Sequence, residues 1–239
     1  MATASLTVGN IHLTEQGVDK FSKRLRWFAY FWAFVSFVVA VRWLKISRQD
    51  IYMFDVAGEG NIWTWMNVTY MVLAAGALYL AALVRKQNGV QYRAWFVTAV
   101  GVLLLSLDDM VGIHERLEGL GHNMGGGDGF LHFAWVIPGM IVGALLIGVF
   151  GLAIRSADAP VRRDFILGIV FFFGGALVLE MMTGAVLSGY GHYKPYTALY
   201  HIEEFCEAVG VIFILSAALK DVICQSSRKP LAKAMSAPY

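Results

Sequence analysis

Charge is scarce in this chain: 15% of its 239 residues are Asp, Glu, Lys or Arg, against 58% that are hydrophobic. Soluble domains average about 25% charged and about 45–50% apolar, so an ordinary water-soluble globule is excluded. Cysteine is scarcer still. Cys206 and Cys224 stand far apart without metal spacing, which excludes a disulfide framework and a thiolate metal site. No basic run interleaves with aromatics, and a net charge of +2 is too small for a nucleic-acid binder. The first 20 residues lack the short apolar core and small-residue cleavage site of a secretory signal, so the first apolar helix is expected to be retained as a signal anchor.

What the chain does have is long apolar runs. A helix needs roughly 20 apolar residues to cross about 30 Å of hydrocarbon, and six segments qualify: Trp27–Leu44, Trp63–Val84, Trp95–His114, Phe130–Ile154, Phe165–Leu187 and Tyr196–Leu219. The expected fold is therefore all-α, a polytopic bundle of six transmembrane helices over residues 27–219. A cytoplasmic N-terminal segment (1–26) and a cytoplasmic C-terminal tail (220–239) flank it. With the N-terminus inside, 14 of the 19 Lys and Arg residues fall in cytoplasmic segments, which predicts N-in, C-in in the inner (plasma) membrane. Trp63, Trp65, Trp95, Tyr190 and Tyr196 sit at expected helix ends, as an aromatic belt would. Pro138 is expected to kink the fourth helix. Gly139 and Gly143 allow close helix packing and offer a face for a homo-oligomer. Membrane lipids are the expected partners, with a further subunit of a membrane complex as another.

Acidic and histidine residues are concentrated. Asp108, Asp109, His114 and Glu115 fall late in the third helix, Glu180 late in the fifth, and His201, Glu203, Glu204 and Glu207 early in the sixth. All map to the outer half of the membrane. At 1.5 Å per residue, Asp108 is about 20 Å along its helix from Trp95, and Glu180 about 22 Å from Phe165. Helical phase puts His201, Glu204 and Glu207 on one stripe and turns Glu203 away from His201. Each ionised carboxylate at the bilayer centre costs roughly 2.5–3.5 kcal/mol, so protons, water or cations must compensate them. Carboxylate with imidazole suits a divalent iron, manganese or zinc ion. The expected ligands are Asp108, Glu180, His201, Glu204 and Glu207, with Asp109, His114 and Glu115 as supporting groups or general base. His201-x-x-Glu204 is the Glu-x-x-His spacing of di-iron bundles in reverse order. His114-Glu115-Arg116-Leu117-Glu118 fails as a zinc-protease motif because its fifth residue is Glu118.

The stretch Ser106-Leu107-Asp108-Asp109-x4-His114-Glu115-Arg116-Leu117, with Glu180 and Glu203-Glu204-x-x-Glu207, resembles an uncharacterised family of bacterial multi-pass membrane proteins. So does Phe54-Asp55-x3-Glu59-Gly60-Asn61. The resemblance covers Asp55 to Gly210, departs where Asp109 replaces the family's usual Glu, and adds Asp55 and Glu59 to the rim of the site. It implies the site without naming a reaction. The expected function is a metal-dependent enzyme acting on a lipid or other apolar substrate. The alternatives are a proton or cation transporter using the same carboxylates, and an accessory subunit of a membrane complex.

Overall fold

The first two helices start at residues whose side chains satisfy free backbone N–H groups. The structure is a computed structural model describing residues 5–8, 11–41, 52–58, 60–192 and 194–235, with side chains for 13–41, 52–58, 60–192 and 194–228. A hairpin of β1 (Ser5–Val8) and β2 (Ile11–Thr14), paired antiparallel, opens the fold. Thr14 caps α1 (Glu15–Ala40), its hydroxyl accepting from the Gly17 N–H. Asn61 caps α2 (Ile62–Gln87) by accepting from the Trp63 and Thr64 N–H groups. Then come α3 (Arg93–Val111), the short α4 (Glu118–Asn123), α5 (Val136–Arg155), α6 (Ala159–Phe173), a π-helical turn at Gly174–Leu179, α7 (Glu180–Tyr190) and α8 (Lys194–Met235). Gly112 ends α3 at φ 60°, a left-handed position that favours glycine.

Four stretches are long and apolar enough to cross a membrane: α2, α3, α5 and the continuous run Ala159–Tyr190. Large apolar side chains cover their outward faces, with Leu145 68% and Val170 62% exposed. Soluble monomers rarely expose so much contiguous apolar surface, and the chain is a membrane protein. The expected spans Trp27–Leu44 and Tyr196–Leu219 fall in α1 and α8 and do not reach the same standard among the described residues. Residues 42–44 lie outside the description, and α8 carries three glutamates in its expected span. Nor does α8 stop at Leu219; it runs unbroken to Met235. The hairpin at 5–14 was not expected, although Leu6, Val8, Ile11 and Leu13 place apolar residues on paired strands.

The centre of the fold is α8, which packs on α1, α2, α6 and α7. Small residues make this possible. A Cβ on Gly210 would lie 2.5 Å from the Phe172 backbone N, and one on Gly168 3.0 Å from the Gly210 carbonyl oxygen. Gly210→Ala is therefore expected to force α6 and α8 apart and cost about 1–3 kcal/mol, read from denaturation of the detergent-purified protein. Gly139 and Gly143 are also used within the chain. Gly139 faces the Trp135 ring one turn back on its own helix, and Gly143 faces Leu177 and Phe173. Pro138 sits in the first turn of α5, where a missing N–H is tolerated, and not mid-helix where it would kink.

Two ends of the bundle carry its polar chemistry. At the near end, where the hairpin lies, Arg85 and Asp221 are buried and bidentate at 2.7 and 2.6 Å. The Arg85 guanidinium also lies 4.3 Å from the Trp95 ring centroid. Beside them, buried Lys220 bridges Asp164 at 2.7 Å and Asp19 at 2.6 Å. The far end carries the site.

Candidate functional site

A cavity of about 380 Å³ opens among α2, α3, α5, the π turn and α8 at the far end. Six carboxylates (Asp108, Asp109, Glu180, Glu203, Glu204 and Glu207) and His114 line it, while Leu104, Leu105, Val142, Leu146, Phe172 and Phe173 form its apolar wall. Among the described residues, no Lys or Arg lines it. Three separate helical stretches bring these acids together. Asp108 and Asp109 end α3, Glu180 starts α7, and α8 supplies three glutamates from one and a half turns.

The π turn decides where Glu180 points. Its wider winding interrupts the 3.6-residue phase immediately before Glu180. It also brings Gly175 against α8 so closely that a Cβ there would lie 2.8 Å from Glu207 Cγ and 2.9 Å from the Glu203 carbonyl oxygen. The Gly174-Gly175 pair is its sequence signal, and only glycine permits this approach.

Individual hydrogen bonds hold most of the acids. Trp63 Nε1 donates to Glu204 at 3.0 Å, Trp135 Nε1 to Glu180 at 3.3 Å, and Thr183 Oγ1 to Glu203 at 2.7 Å. Asp108 accepts from the His114 backbone N–H at 2.7 Å and from His114 Nδ1 at 3.0 Å. With Asp108 ionised, His114 is the donor in that contact through Nδ1. Asn67, wholly buried, reaches Asp109 with its amide nitrogen at 3.4 Å. Glu207 has no hydrogen-bond partner among the described residues. Over the cavity, Glu118 accepts from the Ala134 and Trp135 N–H groups, clamping the loop that carries Trp135. Outside the cavity, Asp128 accepts from Ser188 Oγ and the Gly129 N–H. Those bonds hold its carboxyl below the usual carboxylate range.

The sequence expectations fare unevenly here. Asp108, Asp109, His114, Glu180, Glu204 and Glu207 come together. His201 does not join them. Its Nδ1 pairs with the Thr197 carbonyl of its own helix at 2.7 Å and its Nε2 with Ser36 Oγ of α1 at 2.9 Å, so both ring nitrogens are used. Its 60° offset from Glu204 is enough to turn it onto a different neighbour. Glu203, which phase turned away from His201, lines the cavity because the cavity and not His201 is the centre. Glu115 is exposed in the turn after α3. Asp55 folds back on its own turn, accepting from the Ala57 N–H; Glu59 lies outside the described residues. Trp63 and Trp95, expected in an aromatic belt, are 4% and 0% exposed and serve as partners for Glu204 and Arg85.

The donors do not fit a ready-made metal centre. Among the described residues, no three His, Cys, Asp or Glu side chains stand close enough together to hold a metal ion. Oxygen and imidazole donors are the right chemistry for iron, manganese or zinc, but here they are spread around a cavity wall.

No curated protein and no solved structure matches the chain. Residues 27–220 match the family described as a domain of unknown function, DUF8692, and the match takes in every residue that lines the cavity. With most of its length matched, the chain belongs to this uncharacterised family, DUF8692.

Proposed function

We propose that the protein is an intramembrane cation-binding protein whose acid-lined cavity holds a positively charged ligand in the outer half of an inner membrane. The observation that carries this is the pairing of six carboxylates in one cavity with, among the described residues, no lining Lys or Arg. Such a group in a low-dielectric bundle must be balanced by protons or by a bound cation. In this reading α1 and α8 complete a bundle of six spans over residues 27–219, with both ends cytoplasmic. Support comes from the Lys and Arg bias of the sequence and from the grouping of the hairpin, Arg85, Asp164 and Lys220 at one end.

Binding is favoured over conduction by what lies below the acids. Ala208, Val209, Val211, Ile212, Ile214 and Leu215 are buried and apolar. They separate Glu207 from Ser216 and Lys220 and leave no polar path toward the near end along α8. The Asp108–His114 pair gives the cavity one group able to take a proton from a bound ligand.

The test is a melting series on detergent-purified protein with Mn²⁺, Fe²⁺, Zn²⁺ and dodecylamine. At least one cation should raise the Tm of the wild type and leave the Glu204→Gln/Glu207→Gln variant unmoved, because a ligand stabilises only the form that binds it. If no cation moves the wild-type Tm, the cation-binding reading fails.

A further inference from the structure

We infer that the cavity takes the head group of a long-chain amine, a cationic amphiphile that enters from the bilayer between α3 and α5. This rests on the cation-binding reading above and names the class of cation.

The spread of the donors argues for an ammonium group. A metal ion needs three or more donors at about 2.0–2.6 Å from one point, and the described side chains do not converge that way. An ammonium donates its hydrogen bonds over longer distances, close to 2.7–2.9 Å, and accepts acids spaced around it. With no lining Lys or Arg among the described residues, the cavity offers an anionic head group no counter-charge. Asn67 is a second, independent sign. It is 0% exposed and backs the acid cluster through Asp109, and its Oδ1 has no hydrogen-bond donor among the described residues.

The rest of the cavity suits a tail. Below the acids its wall is apolar, and two of its lining residues are also on the outside of the bundle: Leu104 is 59% and Val142 49% exposed. Those two belong to α3 and α5, which pack on each other more sparsely than α2 on α3 or α6 on α8. The lower margin of the gap is closed where Gly101 meets Leu146; a Cβ on Gly101 would lie 2.9 Å from Leu146 Cδ2. Its upper margin is Ile113, which lines the cavity and is 40% exposed. From Leu104 to the end of α3 at Val111 the slot spans about 10 Å of helix rise, and Ile113 follows the Gly112 cap. A charged head can therefore enter at the Ile113 end, nearer the membrane surface, while its tail follows through hydrocarbon past Leu104 and Val142. At about 380 Å³ the cavity is within the usual range of small-molecule sites, about 300–1,000 Å³.

The experiment uses full-length protein in lipid nanodiscs and dodecylamine carrying a photoactivatable diazirine near the end of its tail. Labelling should saturate, be competed by plain dodecylamine but not by dodecanol, and map to peptides containing Leu104 and Val142. It should fall at least tenfold in Glu204→Gln/Glu207→Gln and in Val142→Trp, which narrows the slot. Leu104→Trp, from the opposite wall, repeats the test should Val142→Trp melt early. Uncompeted labelling spread over the lipid-facing surface, or full competed labelling in both folded Trp variants, overturns the proposal. If a metal ion stabilises the wild type but not the double Gln variant while the amine fails, the amphiphile is wrong and the cation site stands. If neither acts, both fail.

Discussion

Arg85→Met should destabilise the detergent-purified protein by about 3–5 kcal/mol, the cost of leaving one member of a buried ion pair without its partner. Arg85 and Asp221 are 1% and 0% exposed, so water cannot reach the orphaned carboxylate. The same guanidinium donates to the Gln91 carbonyl, to Ser156 Oγ and to the Ser156 carbonyl. Its loss therefore releases the turns after α2 and α5 together. Adding Asp221→Leu should recover most of the deficit, because removing both charges removes the unpaired one as well. Denaturant titration of the single and double variants gives the comparison. A single variant within about 1 kcal/mol of the wild type would mean that water or lipid head groups reach Asp221.

Glu207→Gln should move the other way, raising stability by about 0.5–2 kcal/mol while weakening cation binding. Glu207 stands among five other cavity carboxylates and, among the described residues, has no hydrogen bond to offset its burial. Glutamine keeps the shape, which matters because Gly175 leaves little room at Glu207 Cγ, and it removes the repulsion. Glu204→Gln should not show the same gain, since Glu204 accepts a hydrogen bond from Trp63 that an amide satisfies less well. Melting curves of both variants, with and without the stabilising cation, separate the two effects. A Glu207→Gln variant less stable than wild type and equally responsive to the cation would show that Glu207 is structural.

Much of this was legible in the sequence, for identifiable reasons. Acidic residues inside apolar runs are costly enough to stand out, and rise per residue alone puts Asp108, Glu180, Glu204 and Glu207 in one layer. Phase served less well. The π turn at Gly174–Leu179 shifts the register before Glu180, and no 3.6-residue count anticipates that. His201 was read by spacing to Glu204, but its neighbour Ser36 is 165 residues away, and that contact decides its direction. The near-end ion pairs are hidden by their position at the ends of the expected spans. Arg85 and Lys220 read as loop charges that orient the chain, while Asp164 directly precedes an expected span; nothing local distinguishes a solvated end charge from a buried, paired one. Glu118, whose place in the sequence only spoils a zinc motif, clamps the loop over the cavity.

The most direct test of the cation site is carbodiimide labelling. N,N′-dicyclohexylcarbodiimide modifies carboxyl groups that hold a proton in an apolar setting, and mass spectrometry of the digested protein locates the adducts. Empty wild-type protein should be modified on the peptide carrying Glu203, Glu204 and Glu207, and the cation that raises its Tm should suppress that labelling. Labelling of these glutamates that every cation leaves unchanged, or no labelling beyond exposed Glu115, would contradict the account.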